Sequence, residues 1–276
     1  MRAIALLTDF GTRDPYVAAM KGVLASRCDA PLYDLTHEIA PYDVLGAAWF
    51  LHSVVAYWPA ETIFVCVVDP GVGTERKIVA LEQEGKVFLA PDNGLLTFVS
   101  CGAAGSQPAG LSREPRRAKS PPLHSVTNSA LFLPGGSTTF HGRDRFAPVA
   151  AALANGLALD EVGPAIESIV TLPYEPPTYG DVVHGSIVAI DRFGNAITDI
   201  ERGRVPYDAF ALRVHDVVID RVETTYGNAA PGPFLVVGST GCVEISVANA
   251  SAAERLQLRR LERVELWRSD AGSSHR

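Results

Sequence analysis

The run Thr62-Ile63-Phe64-Val65-Cys66-Val67-Val68 is apolar at nearly every position and rich in β-branched and aromatic residues. Side chains of that kind fit a pleated strand, and a strand with one wet face would alternate apolar with polar residues. This run does not alternate, so both of its faces are covered, as inside a mostly parallel sheet with helices on its two sides. It stops at Asp69-Pro70-Gly71-Val72-Gly73, where a carboxylate meets a loop that can turn its backbone N–H groups toward a ligand.

The surrounding sequence repeats the alternation of strand and helix. Residues 3–7 form an apolar strand ending in Thr8-Asp9-Phe10-Gly11, and residues 15–27 suit a helix with Pro15 near its start. Residues 31–35 read as a short strand running into Thr36-His37-Glu38, and residues 43–57 carry the apolar face of a second helix. Two strands, Lys77–Glu82 and Lys86–Ala90, flank Glu84-Gly85 and lead into Pro91-Asp92-Asn93-Gly94 and a short helix over 95–100. Residues 102–123, rich in Gly, Ser, Arg and Pro, predict a mobile, exposed basic loop. A helix over roughly 146–156 closes this half.

Beyond Gly163 the character changes. Leu172-Pro173-Tyr174-Glu175-Pro176-Pro177 is a stiff, non-helical connector. Short β-rich runs follow at 183–190, 210–214, 217–222, 234–238 and 243–247, separated by Gly, Asp and Asn turns, the pattern of a small β domain, barrel-like in character. Residues 254–267 read as a final strand or helix before a disordered tail. The expected class is therefore α/β: an N-terminal, mostly parallel sheet with flanking helices over 1–168, a linker over 169–179, a smaller C-terminal all-β domain over 180–268, and a tail over 269–276.

Composition narrows the partners. A net charge of −7, from 24 basic and 31 acidic residues, argues against a nucleic-acid surface. The opening run Ala3–Leu7 is too short for a secretory segment, and no apolar run approaches the roughly 18 residues of a membrane span. Cys28, Cys66, Cys101 and Cys242 are scattered without metal-finger spacing, as expected of free thiols in a reducing cytoplasm. The histidines at positions 37, 52, 124, 141, 184 and 215 show no HExxH or comparable spacing, so no metal site is expected.

Several polar residues stand where apolar runs end. Asp69 is either a functional carboxylate or a turn cap. Arg76, seven residues on, either reaches back to a carboxylate or caps a solvent edge. His141, in Thr139-Phe140-His141-Gly142-Arg143-Asp144-Arg145-Phe146, is either an oriented neutral imidazole or an ordinary loop histidine. Asn93 and Asn195 sit beside glycine, and Asp9 and Asp191 stand in the short polar turns ending in Gly11 and Gly194, as turn residues do. Phe10 and Phe193, however, place an aromatic ring beside two of these groups, which suits stacking and hydrogen bonding to a base or ribose. The turn Ser239-Thr240-Gly241 could complete such a pocket.

These segments resemble the S-adenosyl-L-methionine hydroxide adenosyltransferases, the hydrolase branch of the family that includes the fluorinase and chlorinase. The resemblance covers residues 1 to about 262 and is carried by residues 7–11, 68–76, 91–94, 139–148 and 191–195. It implies hydrolysis of S-adenosyl-L-methionine to adenosine and L-methionine by hydroxide attack at ribose C5′, with the small molecule as substrate and no cofactor. It assigns water activation to Asp69, Arg76 and His141, and substrate contacts to Asp9, Asn93, Asp191, Asn195 and Ser239. It also implies a homotrimer with sites at subunit interfaces. Halide-dependent adenosyl transfer and a non-catalytic binding module are the competing readings. Residues 102–123, the Gly135-Gly136 turn, Thr240 and residues 248–250 depart from the commoner family wording.

Overall fold

The computed structural model describes residues 2–100, 122–227 and 229–269. The expected basic loop lies outside them as far as residue 121, and so does the tail beyond residue 269. The expectation carries that loop through residue 123, but Leu123 instead begins a strand paired with Leu81. The described residues through Pro173 form one compact unit and those from Tyr174 onward a second.

In the first unit, β1 (Ile4–Thr8), α1 (Tyr16–Ala25), β2 (Leu32–Thr36), α2 (Val44–Val55), β3 (Ile63–Val67), β4 (Ile78–Gln83), β5 (Lys86–Pro91), α3 (Thr97–Ser100) and β6 (Leu123–Ser125) precede α4 (Ala147–Ala154). The sheet order is β2-β1-β3-β5-β4-β6. The sheet is mixed: β1–β2, β1–β3 and β3–β5 pair in parallel, while the β4–β5 hairpin and β6 pair antiparallel.

The unbroken apolar strand behaves as its composition requires. Ile63, Val65 and Val67 pack with Met20 and Leu24 of α1 and the Ala-rich face of α4, while Phe64, Cys66 and Val68 pack with Ala47 and Leu51 of α2 on the other side. Burial of such side chains stabilises by roughly 1.5–3 kcal/mol each. Helix α2 starts where Asp43 accepts a hydrogen bond from the Gly46 amide at 2.9 Å, a cap that satisfies one of the orphan donors of the first turn.

The second unit is one antiparallel sheet of seven strands in the order β10-β9-β13-β7-β8-β12-β11. Its strands are β7 (Val182–Ile190), β8 (Ala196–Glu201), β9 (Phe210–Val214), β10 (Val217–Ile219), β11 (Pro233–Val237), β12 (Cys242–Val247) and β13 (Arg263–Arg268). A bridge from Val222 to Leu235 brings the chain beyond β10 back to β11, so the sheet nearly closes on itself. The unit is not all β: α5 (Ala252–Leu256) interrupts it, capped by the Ser251 hydroxyl on the Glu254 amide.

Candidate active site

The chain runs from β1 to β2 on one side and then crosses from β2 to β3 on the other side of β1, so the crevice beyond the carboxyl ends of β1 and β3 is the switch point of the parallel strands, where open α/β sheets place ligands. Thr8 pairs with Val67 across these ends. Asp9 follows the first strand and Asp69 the second, and both line a cavity of about 280 Å³. Phe10, Tyr16, Pro41, Tyr42, Val67, Val72, Thr139, Phe140, His141 and Gly142 complete its wall.

The first unit brings Asp69, Arg76 and His141 together. Arg76 grips the Asp69 carboxylate with two donors: Nε lies 3.0 Å from Oδ1, and Nη2 donates to Oδ2. The same Nη2 stands 3.3 Å from His141 Nδ1. A guanidinium can only donate, so Nδ1 is the acceptor and a neutral His141 carries its proton on Nε2. That Nε2 is buried and has no hydrogen-bond partner among the described residues. The His141 pKa is pushed down to about 4 by burial and by the positive charges of Arg145 and Arg76. Burial raises the Asp69 carboxyl above its ordinary value, while Arg76 and the Gly71 backbone pull against it.

Local sequence explains the geometry. Gly73 adopts φ +82, and a Cβ there would stand 2.9 Å from the Thr138 carbonyl oxygen. The loop carrying Asp69 and Arg76 therefore packs directly on the segment leading to His141. After His141 the chain makes a π-turn over Gly142–Phe146 before α4 begins, in place of the plain approach to a helix read from the sequence. Asp144, 2% exposed, accepts from the Ser137 amide at 2.6 Å and from Arg143, which ties this turn to the preceding loop.

The remaining expected site residues divide between the units. Asn93 does not line the cavity: its amide donates to the Val68 carbonyl at 2.9 Å and its oxygen accepts from the Leu95 amide, so it braces the end of β3. Asp191 and Asn195 lie in the second unit. The Asp191 carboxylate accepts from the Phe193 and Asn195 amides at 2.9 and 2.8 Å and from Asn195 Nδ2 at 2.8 Å, organising its own loop. The Phe193 ring is 78% exposed. Ser239 is exposed in the turn closed by the Gly241 amide on the Gly238 carbonyl. Between that turn and Asp191 lies Glu244, buried, hydrogen-bonded by Tyr226 at 2.7 Å, and raised by burial above the usual carboxylate range.

Tyr16 and Tyr42 were not anticipated. Tyr16 packs edge-on against Phe140 at 5.2 Å, and Tyr42 is 71% exposed with φ 67. Nothing in periodicity distinguishes them; an aromatic residue directly after proline, at Pro15 and Pro41, is the one local hint.

The sequence matches the families described as SAM hydroxide adenosyltransferase N-terminal domain over residues 4–163 and SAM hydroxide adenosyltransferase C-terminal domain over residues 185–265. A Thermus thermophilus protein named (R)-S-adenosyl-L-methionine hydrolase is 39% identical over 268 residues, spanning 94% of this chain and 97% of that protein. A fluorinase from an Actinoplanes species is 30% identical over 228 residues, 72% of each chain. The crystal structure of an uncharacterized conserved protein from Thermotoga maritima is similar with a TM-score of 0.83 and 32% identity, covering 96% of this chain and 100% of that one.

Proposed function

Because this chain belongs to the SAM hydroxide adenosyltransferase family, we propose that it hydrolyses S-adenosyl-L-methionine to adenosine and L-methionine. The observation that carries the mechanism is the Asp69–Arg76–His141 chain at the wall of the cavity, with one buried imidazole N–H left unpaired. Water attacks ribose C5′ as the C5′–S bond breaks. The sulfur takes the bonding electron pair and leaves as the neutral thioether of methionine. One water proton is released per turnover.

The sulfonium is already a good leaving group, so catalysis falls on positioning and activating water. Ionised Asp69 accepts the water proton. An ordinary carboxylate is a weak base toward water, and the upward pull of burial on Asp69 improves the match without closing it. The rest comes from stabilising hydroxide as it forms. Arg76 holds the carboxylate, and the His141 Nε2–H donates to the developing oxyanion. With Nδ1 already accepting from Arg76, His141 serves as a donor rather than as the base. Attraction between Asp9 or Asp69 and the sulfonium aids binding but does not by itself lower the barrier, since that charge disappears as the bond breaks.

Asp9, Phe10, Asn93, Asp191, Phe193, Asn195 and Ser239 are assigned to substrate recognition, directly or by holding the contacting backbone. The cavity of about 280 Å³ sits just under the roughly 300–1,000 Å³ of pockets that enclose drug-sized ligands, which supports a site completed by further surface, as in the homotrimer the resemblance implies. No cofactor enters the scheme. The deciding experiment incubates purified protein with S-adenosyl-L-methionine in weakly buffered, halide-free medium and follows adenosine, methionine and acid together. Equal amounts of all three over many turnovers support hydrolysis. Substrate left intact, or product that appears only with halide, overturns it.

A further inference from the structure

Four polar residues form a connected chain that the proposed chemistry leaves unused. Thr8 ends β1 with its side chain fully buried, and its Oγ1 lies 2.9 Å from His37 Nδ1. The opposite ring nitrogen, Nε2, stands 2.9 Å from Asp34 Oδ1 without the alignment of a hydrogen bond, and Asp34 Oδ2 accepts from Lys21 Nζ of α1 at 2.6 Å. Thr8 Oγ1 also accepts the Phe10 amide at 3.3 Å, and the His37 carbonyl accepts the Gly11 amide at 2.7 Å. His37 therefore grips the turn at both ends, through its ring at Thr8 and its backbone at Gly11. Between them stand Asp9 and Phe10, which line the cavity.

We propose that Thr8 and His37 are positioning residues that hold the Asp9–Phe10 wall in its substrate-binding geometry, an inference that rests on the hydrolase reading of this cavity. The Thr8 oxygen accepts from the Phe10 N–H and keeps both a proton and a second lone pair for His37 Nδ1, so the Thr8–His37 bond forms with either imidazole tautomer. The Asp9 carboxylate in turn accepts from the Tyr42 amide at 2.9 Å, a third link between the turns after β1 and β2.

Two other roles are ruled out by the same geometry. An Asp–His–Thr series resembles a hydrolytic triad, but the Thr8 side chain is 0% exposed and cannot reach a substrate. Nor is the series a proton exit, because its link to the cavity is the Phe10 amide, which holds its proton. Removing the Thr8 hydroxyl takes a partner from the Phe10 N–H and from a buried His37 ring nitrogen beside the wall.

Thr8→Val keeps the shape of the side chain and deletes the hydroxyl. It should raise KM for S-adenosyl-L-methionine about tenfold, the scale of one buried hydrogen bond, with kcat within about twofold of the parent. Thr8→Ser should return KM to within about twofold. His37→Asn, which keeps a polar group at the Nδ1 position, should fall between them. Calorimetric binding of adenosine to the same proteins reads the wall without turnover and should weaken in parallel. An unchanged KM and adenosine affinity in Thr8→Val overturns the proposal, as does failure of Thr8→Ser to restore them. If Thr8→Val does not fold, wild-type KM and adenosine affinity in His37→Ala overturn it. A parent protein that binds adenosine but turns over no S-adenosyl-L-methionine overturns the hydrolase reading instead, and the binding series still decides the role of Thr8.

Discussion

At the scale of single residues the His141 imidazole separates two mechanisms that the sequence left open. An imidazole accepting at Nδ1 from Arg76 and lowered to about 4 is neutral across the physiological range, so its use is as an N–H donor. Its replacement by Ala should lower kcat by roughly 10²–10³-fold, the loss seen for a missing oxyanion donor, with KM little changed. His141→Gln, able to present an amide N–H, should retain more turnover; steady-state kinetics on both variants checks the ordering. Arg76→Ala should also depress kcat, and it should destabilise the protein by roughly 3–5 kcal/mol because it strands a buried carboxylate. The pH profile follows with its sign. Asp69 acts ionised and its pKa is raised, so kcat is lost as pH falls through a value above the ordinary carboxylate range. No limb should appear near the free histidine value of about 6.5, and a limb there that vanishes in His141→Gln would contradict the donor role.

At the scale of elements, the site is a set of strand ends and the loops that join them. Asp9 and Asp69 are legible because they stop apolar runs, whereas Arg76 and His141 are brought together across 65 positions of sequence by packing that no spacing rule encodes. Gly73 is one close approach in that packing, with no room for a side chain against the Thr138 carbonyl. Gly73→Ala forces a side chain into positive φ and against a carbonyl oxygen, a strain of about 1–3 kcal/mol. It should lower turnover about tenfold by spreading the Asp69 and His141 loops. Kinetics beside thermal melting measures this, and full activity would show the two loops to be uncoupled. Among the elements not legible in the sequence, two have a clear physical reason. Strand β8 hides behind Thr198 and Asp199, both buried; the Thr198 hydroxyl donates to the Val243 carbonyl at 2.6 Å, and polar residues satisfied in this way resemble a loop. The π-turn before α4 escaped because a single added backbone residue leaves no trace in periodicity.

For the whole molecule, no helix among the described residues is long and apolar enough to cross a membrane, and each unit carries its own core. The second unit also carries a buried carboxylate that couples its stability to pH. Asp199 accepts from the Ser186 amide at 2.8 Å and from Tyr174 at 3.0 Å, and burial pushes its pKa up to about 6. Folding therefore favours the protonated form. That contribution is complete below the unfolded value near 3.8 and is lost as pH rises through about 6. Asp199→Asn removes the titration, so its Tm relative to the parent should improve from pH 5 to pH 8; a constant difference would show that Asp199 does not titrate there. The sequence by itself determined the two kinds of architecture and the places where chemistry gathers, because hydrophobic period and the ends of apolar runs are local properties of the chain. Which of the two β1 and β3 crevice walls meets Arg76, which nitrogen of His141 holds the proton, and why His37 matters to a turn 26 residues earlier were decided only by the tertiary structure, since hydrogen-bond direction and burial exist only once distant segments are in contact.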